Sequence, residues 1–200
     1  MGAAGDGCDG GLAPGAELVA ALTRAGETLA CAESLTAGLV AATVADTPGA
    51  SAVLLGGVVA YAPEVKASLL GVPADLLARV GTVDPAVAAA MAEGVRRRLG
   101  ATWGLSTTGV AGPGPSEGKP EGTVHVAVSG PSGTRTRALE LNGPRAQIRS
   151  ATVDAVLRLA VEETGATRRT PAPPWEPRGT VGLSGHPGGD PATDHPTPAT

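Results

Sequence analysis

Residues 27–49 read ETLACAESLTAGLVAATVADTPG: a short apolar run, then an alanine-rich segment that ends at Pro48-Gly49. TLACA (28–32) has the length and composition of a buried strand, and a helix is predicted from about residue 36 to 45. Glu33, Ser34 and Thr36 crowd the join, where a buried chain would normally avoid polar groups. A strand that runs directly into a helix is the repeating unit of an α/β protein.

The same alternation continues on both sides. PGAELVAALTRAG (14–26) places Leu18, Val19 and Leu22 on one helical face. AVLLGGVVAYA (52–62) reads as a long strand interrupted by Gly56-Gly57, after which Pro63 opens a helix at its favoured first position. In DPAVAAAMAEGVRRRLG (84–100), Asp84 is an N-cap, Pro85 the first helical residue, three arginines fill the last turn and Gly100 is the stop. A strand at 101–109 leads into the Gly/Pro-rich loop VAGPGPSEGKPEG. TVHVAVSG and GTRTRALELN alternate apolar and polar residues around a Gly130–Gly133 turn, the pattern of an antiparallel hairpin, and GPRAQIRSATVDAVLRLAVEETG closes the fold as a long helix. Five strands with helices before, between and after them predict a three-layer α/β/α sandwich with a mixed five-stranded sheet.

Composition narrows the class. Hydrophobic residues are 42% of the chain but aromatics only 2%, and Phe is absent, so the core must be built from Ala, Val and Leu. A net charge of −4 argues against a nucleic-acid partner, which calls for a basic face. Cys8 and Cys31 lie in dissimilar contexts, which fits reduced thiols. No apolar run has the roughly 20 residues of a membrane span, and the first residues lack the basic and apolar regions of a signal peptide. A cytoplasmic location is therefore expected. Residues 1–12 read as a disordered leader, 13–165 as the folded domain, and the Pro/Gly-rich 166–200 as a disordered tail. The Ala-rich helix 84–99 offers a surface for packing against a second copy, so a homodimer is possible.

Ser34 has two readings. It is a helix N-cap, or a nucleophile beside the outward amides of Leu35, Thr36 and Ala37, where an oxyanion donor is worth about 2.7–4 kcal/mol. A serine hydroxyl needs a base. His186 and His195 fall in the tail and His125 falls mid-hairpin, a structural position. Of 15 basic residues only Lys66 and Lys119 are lysines, and only lysine can serve as a base near neutrality. Lys66 follows the single tyrosine, Tyr61, at the end of a strand. It is either a solvated surface residue or a base whose pKa has been brought from about 10.4 towards neutrality, at a cost of about 4 kcal/mol. The loop at 106–123 is Gly-rich but matches no phosphate-loop motif. Arg145, at the start of the last helix, is an anion-binding candidate; it and Arg149 also read as solvated first-turn residues. No Cys/His cluster has metal-ligand spacing.

Four blocks in order, AESLTAG (32–38), PGASAVLLGGVVAYAPEVKASLLGV (48–72), TTGVAGP (107–113) and KPEGTV (119–124), together resemble the C-terminal domain of the competence/damage-inducible CinA proteins, found alone as nicotinamide-nucleotide amidase. NGPRAQIR (142–149) is a weaker match. The resemblance implies an anticodon-binding-domain-like fold and hydrolysis of the carboxamide of nicotinamide mononucleotide to nicotinate mononucleotide and ammonia, without metal or other cofactor. It implies Ser34 as nucleophile, assisted by Lys66 and Tyr61, with Glu33, Leu35, Thr36 and Gly38 around the oxyanion and substrate. Thr108, Gly109, Gly112 and Thr123 would hold the nucleotide, with Arg145 near its phosphate. Leu35 and Ala37 stand where the family commonly has Cys and Gly, which motivates an alternative: a nucleotide-binding or regulatory module with a degenerate site. The larger members' molybdopterin-binding-like domain is not expected here, nor its pyrophosphatase activity.

Overall fold

β1 (Leu29–Glu33) is buried along its whole length, and its side chains divide by face. Leu29 and Cys31 enter one apolar cluster with Leu18, Leu22, Val40 and Ile148, whereas Ala30 and Ala32 enter a second with Val87, Met91 and Val95. This strict alternation marks β1 as an interior strand covered by helices on both faces. The computed structural model describes residues 12–167; the leader and tail read from the sequence lie, but for Leu12 and the end of the last helix, outside the described residues.

The sheet order is β2-β1-β3-β4-β5, with β2 (Leu54–Val59) and β3 (Trp103–Gly109) parallel to β1. β4 (Thr123–Gly130) is antiparallel to β3, and it forms a hairpin with β5 (Gly133–Glu140) through a two-residue turn. The mixed five-stranded sheet and its helical layers are as the sequence predicts. α1 (Pro14–Ala25), α2 (Leu39–Ala45) and α6 (Arg145–Thr167) pack together on one face. α3 (Pro63–Leu70), α4 (Ala74–Val80) and α5 (Pro85–Leu99) occupy the other.

The α5 layer sits unusually close because its contacts are small. A Cβ on Gly104 of β3 would lie 2.2 Å from the Ala92 carbonyl oxygen, and one on Gly94 would lie 2.0 Å from that of Leu70. Those two glycines let α5 rest on the sheet and α3 rest on α5. The Phe-free, alanine-rich composition is thus the condition for this close approach. It also spends the small-residue face of α5 inside the protein, on β1, β3, β4 and α3, so that face is not available for self-association as the sequence reading supposed.

Three elements differ from expectation. α2 begins at Leu39, not near residue 36, because Ala37 (φ 50°) and Gly38 (φ 99°) take left-handed conformations that break the helix. β2 is only Leu54–Val59, since a 3-10 turn, Ala50–Ala52, precedes it. α4 went unread: it is seven residues with none fully buried, its Leu76, Leu77 and Val80 only leaning on the second cluster.

Candidate active site

The turn between β1 and α2 is built by Glu33. This buried carboxylate accepts from the amides of Gly38 (2.8 Å), Val40 (3.0 Å) and Ala41 (2.9 Å), the otherwise orphaned first donors of α2. The N-cap residue itself, Gly38, has no side chain to do this. Glu33 and Gly38, read as substrate-binding, are therefore the capping device of α2, and Ser34 is not a cap. Replacing Glu33 with alanine strands amides packed against the core, and is expected to cost about 3 kcal/mol or more in denaturant unfolding; a loss below about 1 kcal/mol would contradict this role.

With the cap supplied by Glu33, the Ser34 hydroxyl is left for other work. Lys66 approaches from the second turn of α3, and its Nζ lies 3.0 Å from Ser34 Oγ, 2.7 Å from the Ala60 carbonyl and 3.1 Å from that of Tyr61. Lys66 is fully buried, which overturns the solvated-surface reading. Burial pushes its pKa down to about 8, against the upward pull of the Glu117 and Glu64 carboxylates. Three oxygens surround the amine: as an ammonium Lys66 donates to all three, and on losing a proton it keeps the two carbonyls and turns its lone pair to the Ser34 hydroxyl.

The phenol of Tyr61 does not join this pair. Its Oη accepts a hydrogen bond from Arg145 Nη2 at 2.9 Å; only the Tyr61 backbone touches Lys66. Tyr61 is a half-exposed residue just past an edge strand, and its hydroxyl is held by Arg145 of another element. Arg145 Nη1 also donates to the Gly112 carbonyl at 2.6 Å, so this one guanidinium links the start of α6, the end of β2 and the Gly-rich loop.

Ser34, Leu35, Tyr61, Arg145 and the loop from Gly109 to Glu117 border a cleft of 350 Å³, with Thr82 and Val83 opposite. That volume falls in the range of small-molecule sites. The loop is anchored by charge: Glu117 accepts from the amide and hydroxyl of Thr82 at 2.6 and 2.8 Å, and Lys119 Nζ donates to the carbonyls of Val80 and Val83. Partial burial pushes the Glu117 carboxyl pKa upward, but the Thr82 donors and nearby Lys119 outweigh it and hold the group below its usual range. Glu117 carries no signature in the sequence, where nothing distinguishes it from Glu121 in the same Gly/Pro loop.

Other expected site residues have structural duties. Thr108 Oγ1 donates to the Thr82 carbonyl at 2.7 Å, and Thr36 Oγ1 pairs with Thr107 Oγ1 at 2.7 Å. Thr36, Thr108 and Thr123 do not border the cleft, the first two being buried in the packed interior; Gly109 and Gly112 do border it. Of the three amides expected to bind an oxyanion, Ala37's donates to the Ser34 carbonyl at 3.2 Å and Thr36 is fully buried. Neither the Leu35 nor the Thr36 amide has a protein acceptor among the described residues, and of the two residues it is Leu35 that borders the cleft. Arg149, read as a solvated residue, donates from Nε to the Leu35 carbonyl (2.9 Å) and from Nη2 to the Thr36 carbonyl (2.7 Å). No group of three or more His, Cys, Asp or Glu residues suited to a metal occurs among the described residues, and none of their helices is long and apolar enough to cross a membrane.

Comparison with known proteins identifies the family of the chain. Residues 13–164 match the family model described as the CinA C-terminal domain. A CinA-like protein of Frankia casuarinae is 56% identical over 138 residues, 69% of this chain and 32% of that protein. A putative competence-damage inducible protein of Desulforamulus reducens is 55% identical over 139 residues, 70% of this chain and 34% of its own. The chain therefore spans about a third of the length of these curated relatives. Among solved structures, a competence/damage inducible protein from Agrobacterium tumefaciens superposes with a TM-score of 0.72 at 33% identity, covering 74% of this chain and 92% of that one. A CinA superfamily protein from Klebsiella pneumoniae gives 0.74 at 28% identity, covering 76% and 96%.

Proposed function

The chain belongs to the CinA C-terminal domain family, and from that premise we propose that it is an amidohydrolase that converts nicotinamide mononucleotide to nicotinate mononucleotide and ammonia. The observation that carries this reading is the 3.0 Å contact between a buried lysine amine and the hydroxyl of Ser34 at the edge of a cleft. Ser34 Oγ attacks the carboxamide carbon as its proton passes to neutral Lys66, and the carbonyl oxygen becomes an oxyanion facing the Leu35 amide. Collapse of the tetrahedral intermediate breaks the C–N bond, and Lys66 returns the proton to the departing nitrogen, giving ammonia and an acyl-serine ester. Water, deprotonated by Lys66, then attacks the ester and releases the acid with Ser34 restored.

Arg145 supplies the cation for the phosphate. Two of its donors are committed to Gly112 and Tyr61, leaving others for a ligand oxygen. Tyr61 acts in this scheme by holding Arg145 at the cleft mouth, not by relaying a proton. The degenerate-module alternative is weakened by the position of Ala37, whose methyl is exposed and does not border the cleft.

Incubation with nicotinamide mononucleotide, followed by assay of ammonia and separation of the nucleotides, tests the proposal. Equal amounts of ammonia and nicotinate mononucleotide are expected, with kcat/KM lower by about tenfold or more for the riboside lacking phosphate. Nucleotide binding without ammonia release would contradict the reading.

A further inference from the structure

Arg149 lies on α6, one turn past Arg145, and its guanidinium donates into the β1–α2 turn with no acidic partner among the described residues. A cation held by two backbone carbonyls has some purpose other than an ion pair. We infer that Arg149 is a positioning residue for the oxyanion donor, acting on the Leu35 amide through a relay of peptide groups; this rests on the reading of Ser34 as nucleophile. The relay follows from connectivity. Arg149 Nη2 donates to the Thr36 carbonyl at 2.7 Å. The same peptide unit carries the Ala37 N–H, which points the opposite way because a trans peptide is planar, and it donates to the Ser34 carbonyl at 3.2 Å. That second peptide unit carries the Leu35 N–H, pointing opposite again, and Leu35 borders the cleft. Successive hydrogen bonds polarise one another, so the guanidinium charge reaches the Leu35 donor through two amides.

Arg149 Nε, donating to the Leu35 carbonyl at 2.9 Å, pins the residue between the two peptides. The need for such a clamp is local. Ala37 is held at φ 50°, a conformation that a non-glycine residue leaves readily; the Thr36 carbonyl also accepts from the Leu39 amide at 3.2 Å, but among the described residues Arg149 is the one donor to the Leu35 carbonyl. The effect is geometric and dielectric: a preorganised donor aimed where charge develops, without contact between Arg149 and the reacting atoms.

A fluorophosphonate probe reads this without reference to the natural substrate. Ser34 Oγ forms the bond to phosphorus, fluoride leaves, the proton goes to Lys66, and the phosphonyl oxygen takes the oxyanion position. The rate constant for labelling Ser34, measured by intact mass, and the kinetics on nicotinamide mononucleotide are compared in wild type, Arg149→Met and Arg149→Lys. In Arg149→Met, labelling and kcat are expected to fall about 100-fold, with KM within about threefold and the pH midpoint of labelling unchanged. Lysine, able to donate to one or both carbonyls, should recover about tenfold of the loss. Labelling of Arg149→Met within threefold of wild type overturns the inference, as does a loss that comes with a moved pH midpoint, which would mean that Arg149 acts through the charge on Lys66. If the Met variant does not fold, Arg149→Gln carries the same comparison. Wild-type Ser34 that is labelled while nicotinamide mononucleotide stays intact would reject the substrate reading alone; wild-type Ser34 that resists the probe would reject both.

Discussion

Replacing Ser34 with alanine is expected to lower ammonia release from nicotinamide mononucleotide by about 10⁴-fold or more, while nucleotide affinity stays within a few-fold. The asymmetry follows from where the hydroxyl sits. Ser34 is 9% exposed, so its side chain contributes one oxygen to the cleft edge and little contact area. The variant loses the Lys66–Ser34 hydrogen bond, but Lys66 keeps both carbonyl partners, and the turn keeps its Glu33 cap and Arg149 clamp. Stability should therefore change by no more than about 1 kcal/mol. Titration of nucleotide binding beside the ammonia assay checks both halves, and parallel loss of affinity and turnover would return Ser34 to a structural role.

Removing the amine should be nearly as severe. Lys66→Met is expected to reduce kcat by about 10³-fold or more, because among the described residues Lys66 is the one side chain bonded to the Ser34 hydroxyl. Lys66→Arg should fail equally, since a guanidinium holds its proton far above neutrality. Methionine is the cleaner probe, because the Lys66 site has no room to spare: the residue is fully buried and bonded at three points. The energetics also predict that this variant folds. Lowering the lysine pKa from 10.5 to about 8 costs the folded state about 3 kcal/mol at neutral pH, a cost that methionine removes. Leaving the Ala60 and Tyr61 carbonyls unbonded costs a comparable amount, so the net change is small. A sign follows for wild type. Because the folded-state pKa is depressed, the unfolded chain binds more protons between pH 8 and 10.5, so this lysine's contribution to stability should rise with pH through that window. The rise should be absent from Lys66→Met in denaturant titrations across the same range.

How much of this could be read in the sequence depended on the range of each interaction. Local signals worked. The Asp84 cap accepts from the Ala86 amide at 2.8 Å, and Gly100 ends α5 in a left-handed conformation, both as the motif predicts. Pro63 opens α3 as expected, which places Lys66 in register to turn back on β1. The Ser34–Lys66 pairing spans 32 residues and was still visible, because a chain with only two lysines leaves few candidate amines and a known family supplies the order of the blocks. Roles set by tertiary contacts were not visible. A glutamate that ends a strand and caps the following helix looks the same in sequence as one that faces a substrate. Arg149 meets the Leu35 carbonyl from 114 residues away, and nothing in NGPRAQIR distinguishes a solvated arginine from a clamp. Tyr61 was misplaced for a related reason: its position after β2 fixes the backbone near Lys66, but the direction of its ring is set by Arg145 on another element.

The central claim is that a buried, partly neutral lysine activates Ser34, and it is tested most directly by the rate of fluorophosphonate labelling of Ser34 as a function of pH. Labelling is expected to be confined to the peptide that carries Ser34, to rise with a single midpoint near pH 8 and level off above it, and to lose that dependence in Lys66→Met. A rate that is flat across the same range in wild type, or label carried by another residue, would contradict it.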